Sequence, residues 1–96
     1  MPGRITGKVV AVGAMGDLIT DIAVSLLADA PRDERTTVTC DEHQTVGLFG
    51  VDHSEPPMTL IALLGASGFL ELVIVEESAR MMLGIRPGEA VQVEWT

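Results

Sequence analysis

The stretch VVAVGAMGDLITDI, Val9 to Ile22, constrains this chain more than any other. Two β-branched apolar runs flank Gly-Ala-Met-Gly-Asp, a pattern that reads as strand, turn and second strand. A turn needs one or two permissive residues, yet this one carries a Met between glycines and an Asp directly after. The same grammar repeats along the chain. "ITGKVVAV" reads as the first strand and "DLITDIAVSLL" as the second, although Asp21 is also placed to cap a short helix "IAVSLLADA" closed by Pro31. Ala and Leu favour that helix while Ile and Val favour strand, so both readings stand.

Further along, "PRDERTT" is a charged exposed loop, "TTVTC" a strand, "DEHQ" a turn and "TVGLFGV" a strand. Two prolines make "DHSEPP" a loop. "MTLIALLG" and "FLELVIV" are strands joined by the tight turn "ASG". Glu76 to Leu83 suits one or two helical turns stopped by Gly84 in the left-handed region, and Pro87-Gly88 turns the chain into the last strand, "AVQVEW". Six or seven short strands at close spacing, with one short helix, predict a mainly β fold: a small antiparallel β-barrel in which closure hides the strand edges. A length of 96 residues fits a single domain, 1–96.

Composition removes several function classes. Fourteen acids against six bases give a net charge of −8, and there are only two Phe, one Trp and no Tyr. Such a chain repels a phosphate backbone and has few rings on which to stack bases, so nucleic acid is not an expected partner. Anionic membrane surfaces are disfavoured by the same charge. The longest apolar stretch, "MTLIALLGASGFLELVIV", is interrupted by two glycines, a serine and a glutamate, which argues against a membrane span. Cys40 is the only cysteine, so no internal disulfide forms, and the first residues lack the apolar core of a signal peptide. A cytoplasmic location is expected.

Three segments together resemble the C-terminal domain of the S-adenosyl-L-methionine (SAM) hydroxide adenosyltransferases, the family that includes the SAM-dependent chlorinases and fluorinases. The family pattern opens with a Gly-x-Val strand running into Asp-x-Phe-Gly-Asn-Leu-x-Thr-Asn-Ile; Gly7, Val9 and "GAMGDLITDI" follow it at the same spacing. The second family segment, Asn-Ser-x-Gly-x-Leu-Glu-Ile-Ala, is matched by "GASGFLELVI", with Gly68, Leu70 and Glu71 in register. The third, a Gly-Ser-Ala run followed by Leu-Gly-x-x-x-Gly-Asp-x-Val, is matched by "EESARMMLGIRPGEAVQV". Any one is weak; three in order are fairly specific.

The resemblance implies a barrel that supplies adenine and methionine contacts in a cleft. A larger N-terminal α/β domain of a neighbouring subunit in a trimer supplies the other wall and lodges the nucleophile. That domain is absent from these 96 residues, so they are expected to act as a stand-alone barrel with half a site and no catalytic residue. The half-site is altered too. Gly13 stands at the family Asp before the turn, Met15 at the Phe, Asp17 at the adenine-reading Asn and Asp21 at the second Asn. Gly65 and Ala66 fall on the Asn-Ser pair, with Ser67 beside them. An ionised Asp only accepts hydrogen bonds, whereas an Asn amide donates and accepts as an adenine edge requires. Met replaces a stacking ring with a flexible thioether, and Ala66 removes a hydroxyl.

The expectation is therefore a non-catalytic binding or oligomerisation module whose adenosine or SAM half-site, at Met15, Asp17, Asp21, Ala66 and Ser67, is degenerate. The alternative is a subunit that hydrolyses SAM to adenosine and methionine with a separately encoded N-terminal domain. Expected partners are a second copy, that domain, or adenosine or SAM. No cofactor or metal is expected.

Plainer readings accompany these. Gly13, Met15, Gly16 and Asp17 also fit a turn with glycines at positive φ and an Asp bonding the backbone. Glu71 is expected to face solvent or a basic neighbour. Cys40 and His43, with His53 further on, give an incomplete zinc pattern and are read as part of an acidic loop. Met81 and Met82 are expected to fill the core, and Arg80 to pair with a nearby Glu on the surface. The ending "LGIRPGEAVQVEW" also suits swapped-hairpin barrels that bind DNA as dimers, but such dimers need a basic face that Lys8 and five arginines do not readily build.

Overall fold

The computed structural model describes residues 2–96. Seven strands carry the fold: β1 (Gly3–Val12), β2 (Leu18–Ala23), β3 (Thr36–Cys40), β4 (His43–Val46), β5 (Leu60–Leu64), β6 (Phe69–Ile74) and β7 (Ala90–Trp95). One short helix, α1 (Ala79–Leu83), lies between β6 and β7. The six strand pairs are antiparallel, in the order β4-β3-β7-β1-β2-β6-β5. The result is a mainly β, nearly closed barrel.

Period-two patterning builds the wall. Leu18, Thr20 and Ile22 of β2, Thr36, Val38 and Cys40 of β3, and Val91 and Val93 of β7 all point inward and are buried. Each fully buried aliphatic side chain contributes about 1.5–3 kcal/mol relative to exposure. The ten-residue β1 turns a corner: Gly3 to Lys8 pair with β7, and Val9 to Val12 pair with β2 across a register shift. At that corner a Cβ on Gly7 would lie 2.4 Å from Asp21 Oδ1 and 2.5 Å from Ile22 Cγ1. Side chains of β2 thus fill the place of a Cβ, and a larger residue at position 7 would have to displace them.

The seam between β4 and β5 is held by few bonds. Thr45 Oγ1 donates to the Leu60 carbonyl at 2.9 Å. Past β4, the Phe49 N–H donates to the Ala62 carbonyl at 2.9 Å, and its carbonyl accepts from the Leu64 N–H at 2.7 Å. These bonds cover what would otherwise be two open strand edges.

Several elements depart from the sequence reading. Asp21 caps no helix: it lies inside β2, and its Oδ1 accepts from the Lys8 N–H at 2.9 Å. The second half of "DLITDIAVSLL" is a single 3-10 turn, Val24–Leu27, ahead of Pro31. β4 begins at His43, because Asp41 at φ 55° lets Asp41-Glu42 close a two-residue hairpin. Past β4 only Phe49 serves the seam, while the Gly47 N–H donates to the Thr36 carbonyl at 2.8 Å and the Leu48 N–H to the Arg32 carbonyl at 3.1 Å. Glu76 and Glu77 form a turn ahead of α1. The helix stop at Gly84 is as expected, with φ 68° and its N–H donating to the Arg80 carbonyl at 3.0 Å.

Candidate functional site: the groove between the β1–β2 turn and helix α1

The turn Gly13–Asp17 is closed by two backbone bonds: Gly13 N–H to the Asp17 carbonyl at 2.8 Å and Gly16 N–H to the Gly13 carbonyl at 2.9 Å. Gly16 has φ 87°, and a Cβ there would sit 2.0 Å from Ser78 Oγ. It is glycine for two reasons at once: left-handed backbone and contact with the helix cap. Ser78 is the N-cap of α1, accepting from the Met81 N–H at 3.2 Å. The Gly16 carbonyl takes the Arg80 N–H at 2.9 Å, satisfying a helix-terminal donor that has no partner within the helix. Turn and helix are thus locked into one unit.

Between them lies an open groove of about 890 Å³, lined by Met15, Asp17, Glu76, Glu77, Arg80 and Met81 among others. Met15 is 78% exposed and Met81 83%. Glu76 is held at φ 61°, a left-handed conformation that non-glycine residues rarely occupy. Asp17 is half-buried, and burial pushes its carboxyl above the ordinary range. Among the described residues it makes no side-chain hydrogen bond, so the Asp-to-backbone bond expected in this turn is not made, and the Asp21 bond to Lys8 lies outside the turn. Of the two turn glycines, only Gly16 has positive φ.

The residues singled out in the sequence do not converge. Met15 and Asp17 line this groove. Asp21 is exposed on β2, engaged with Lys8. Ala66 and Ser67 lie in the β5–β6 turn, at the other end of β2, where the Val24 N–H bonds the Gly68 carbonyl at 2.9 Å. Four steps along β6, from Phe69 to Val73 beside the groove, put roughly 13 Å between the two turns.

Three expectations about single residues are overturned. Glu71 does not face solvent: it is buried at 8% exposure, and Ser67 Oγ donates to its Oε2 at 2.9 Å. A Cβ on Gly65 would lie 1.9 Å from that same oxygen, so the carboxylate fills the space of a missing side chain. Met81 and Met82 do not fill the core, because Ala79 and Leu83, one turn apart, form the face of α1 that packs on it; the two methionines are 83% and 50% exposed. Arg80 takes no part in the ion pairs among the described residues, which join Arg4 to Glu94 at 3.2 Å and Arg35 to Asp33 at 3.0 Å. The role of Ser78 in fixing the turn escaped the sequence reading, although Ser three residues before Met81 is a recognisable cap position.

Cys40 and His43 pair across the β3–β4 hairpin. The Cys40 thiol is pushed up to about 11, chiefly by burial and then by Glu89 and Asp41, which makes it a poor nucleophile at neutral pH. His53 Nδ1 accepts from the Glu55 N–H at 3.1 Å. Among the described residues no three His, Cys, Asp or Glu side chains gather as a metal site. Nor is any helix of those residues long and apolar enough to cross a membrane.

The sequence profile of the SAM hydroxide adenosyltransferase C-terminal domain matches residues 7–92. The chain belongs to that family. No curated protein matches it at a significant level. Among solved structures, an uncharacterized conserved protein from Thermotoga maritima superposes with a TM-score of 0.76 at 19% identity, covering 94% of this chain and 35% of that one. A conserved hypothetical protein from Thermus thermophilus gives 0.68 at 23% identity, covering 92% and 32%. The chain spans about a third of the length of each, so these similarities concern the barrel fold. The matched residues include both the β1–β2 turn and α1, which enclose the groove.

Proposed function

We propose that this SAM hydroxide adenosyltransferase C-terminal-type barrel is a non-catalytic binding and assembly module, supplying one wall of a cleft that another polypeptide surface completes. The open groove carries the reading: Met15 and Met81 expose apolar surface that nothing in the described chain covers. Its polar lining cannot complete an adenine edge. Asp17 offers acceptors only when ionised, and Ala66 carries no hydroxyl. Ser67 is moreover committed to Glu71. In this reading the adenosine half-site is degenerate, and no residue of the barrel is a catalytic group.

Calorimetric titration of the chain with adenosine and with SAM tests the proposal. The expected result is no saturable heat at millimolar ligand; adenosine binding at micromolar strength overturns it. Membership of the family supports a second reading, in which the same barrel completes a SAM-hydrolysing site with an N-terminal domain. Adenosine released from SAM only when the two are mixed is the result that favours that reading.

A further inference from the structure

We infer that the groove between the β1–β2 turn and α1 docks a basic, apolar segment of a different protein, and not a second copy of this chain. This inference rests on the half-site reading above and gives the chemistry of the missing wall. Two features of the groove combine. Its apolar content is methionine-rich and unpartnered: Met15 and Met81 line it, and Met82, 50% exposed, follows on the same helix. Thioether side chains are flexible and adapt to varied apolar anchors. Its charged lining is Asp17, Glu76 and Glu77 against the single Arg80. A complementary surface therefore brings apolar anchors between Lys or Arg side chains.

A second copy does not fit. A two-fold contact lays the patch against itself, setting three carboxylates and one guanidinium against the same set. A head-to-tail contact needs a basic patch elsewhere on the barrel. Arg4 and Arg35 are already paired with Glu94 and Asp33, which leaves Lys8 in β1 and Arg32 and Arg86 in two different loops. The net charge of −8 on each copy adds repulsion at long range. Anionic partners, lipid surfaces included, are opposed by the same charges.

The test uses the isotope-labelled chain, its amide resonances followed by NMR, and two short synthetic peptides, one of alternating Lys and Leu and one with Glu in place of Lys. The Lys peptide is expected to shift resonances of residues 12–17 and 76–82 and to bind at least about tenfold more weakly when NaCl rises from about 0.05 to 0.5 M. The triple variant Asp17→Asn/Glu76→Gln/Glu77→Gln, isosteric at each position, is expected to weaken binding by a similar factor while keeping the rest of the spectrum. The Glu peptide is expected to leave the spectrum unchanged. Shifts spread over the whole acidic surface, or none at those residues, overturn the inference and leave the half-site reading standing. A dimer whose dilution moves the same resonances also overturns it. Micromolar adenosine binding overturns the half-site reading instead, and is read separately from the peptide titration.

Discussion

The two turns at opposite ends of β2 resemble each other in sequence and differ in how they are finished. GAMGD, at Gly13–Asp17, is rigid in its backbone and open in its side chains. Gly16 is clamped against Ser78, while Met15 projects into solvent and Asp17 has no side-chain partner among the described residues. GASG, at Gly65–Gly68, is finished from within: the Glu71 carboxylate reaches back over Gly65 and holds the Ser67 hydroxyl. One turn leaves its polar and apolar side chains without partners, and in the other the Ser67 hydroxyl is held by its own strand. A glycine-rich turn is thus no guide to ligand binding until the side chains around it are placed. Gly16 and Gly65 each sit where a neighbour occupies the Cβ position, whereas Gly68 has open space and is glycine for its φ of 89°.

Substitutions at each end separate these roles. Gly16→Ala adds left-handed strain and a collision with the helix cap, and should cost about 2–4 kcal/mol of unfolding free energy in urea melts. A loss below about 1 kcal/mol means that the turn and α1 are not locked together. At the closed end, Glu71→Ala leaves the Ser67 hydroxyl without its partner and opens space beside Gly65, for an expected loss of about 1–3 kcal/mol, whereas Glu71→Gln should retain most of the stability. Equal losses in both variants would show that the hydrogen bond is not what closes this turn.

Ser78→Ala removes the helix cap and should cost about 1 kcal/mol, read from the same melts. The smallest effect is expected in the groove itself. Met15→Ser combined with Met81→Ser should stay within about 0.5 kcal/mol of wild type, because both side chains are exposed. A large loss there would mean that these methionines support the fold, and the contrast between the two ends would disappear. Asp17→Asn should leave stability unchanged or slightly raised, since it removes a charge that burial disfavours and nothing compensates.

Much of the barrel was legible in the residues. β-branched alternation placed β1, β3, β6 and β7 within a few positions, and Gly84 ended α1 where its left-handed φ requires glycine. The errors share one cause. Period and propensity report which residues face inward along an element, but not what lies across from it. β4 is a short edge strand; past its end Leu48 is buried in the core and Phe49 bonds β5, so their hydrophobicity extended the predicted strand beyond its pairing. Met81 and Met82 look like core by residue type, and only the packing shows that Ala79 and Leu83 take the inward face of α1. Glu71 looks like a solvent-facing strand acid because its compensating partners, a hydroxyl and an empty Cβ site, lie in the preceding turn.

By itself the sequence determined the class of fold, the family and the turn positions, since backbone conformation, strand alternation and charge are local properties that each residue carries with it. Tertiary structure alone decided that Met15 and Asp17 share a groove with α1 while Ala66 and Ser67 stand at the far end of β2. That separation follows from strand pairing and register, which join residues distant along the chain and are set by the packing of the whole barrel.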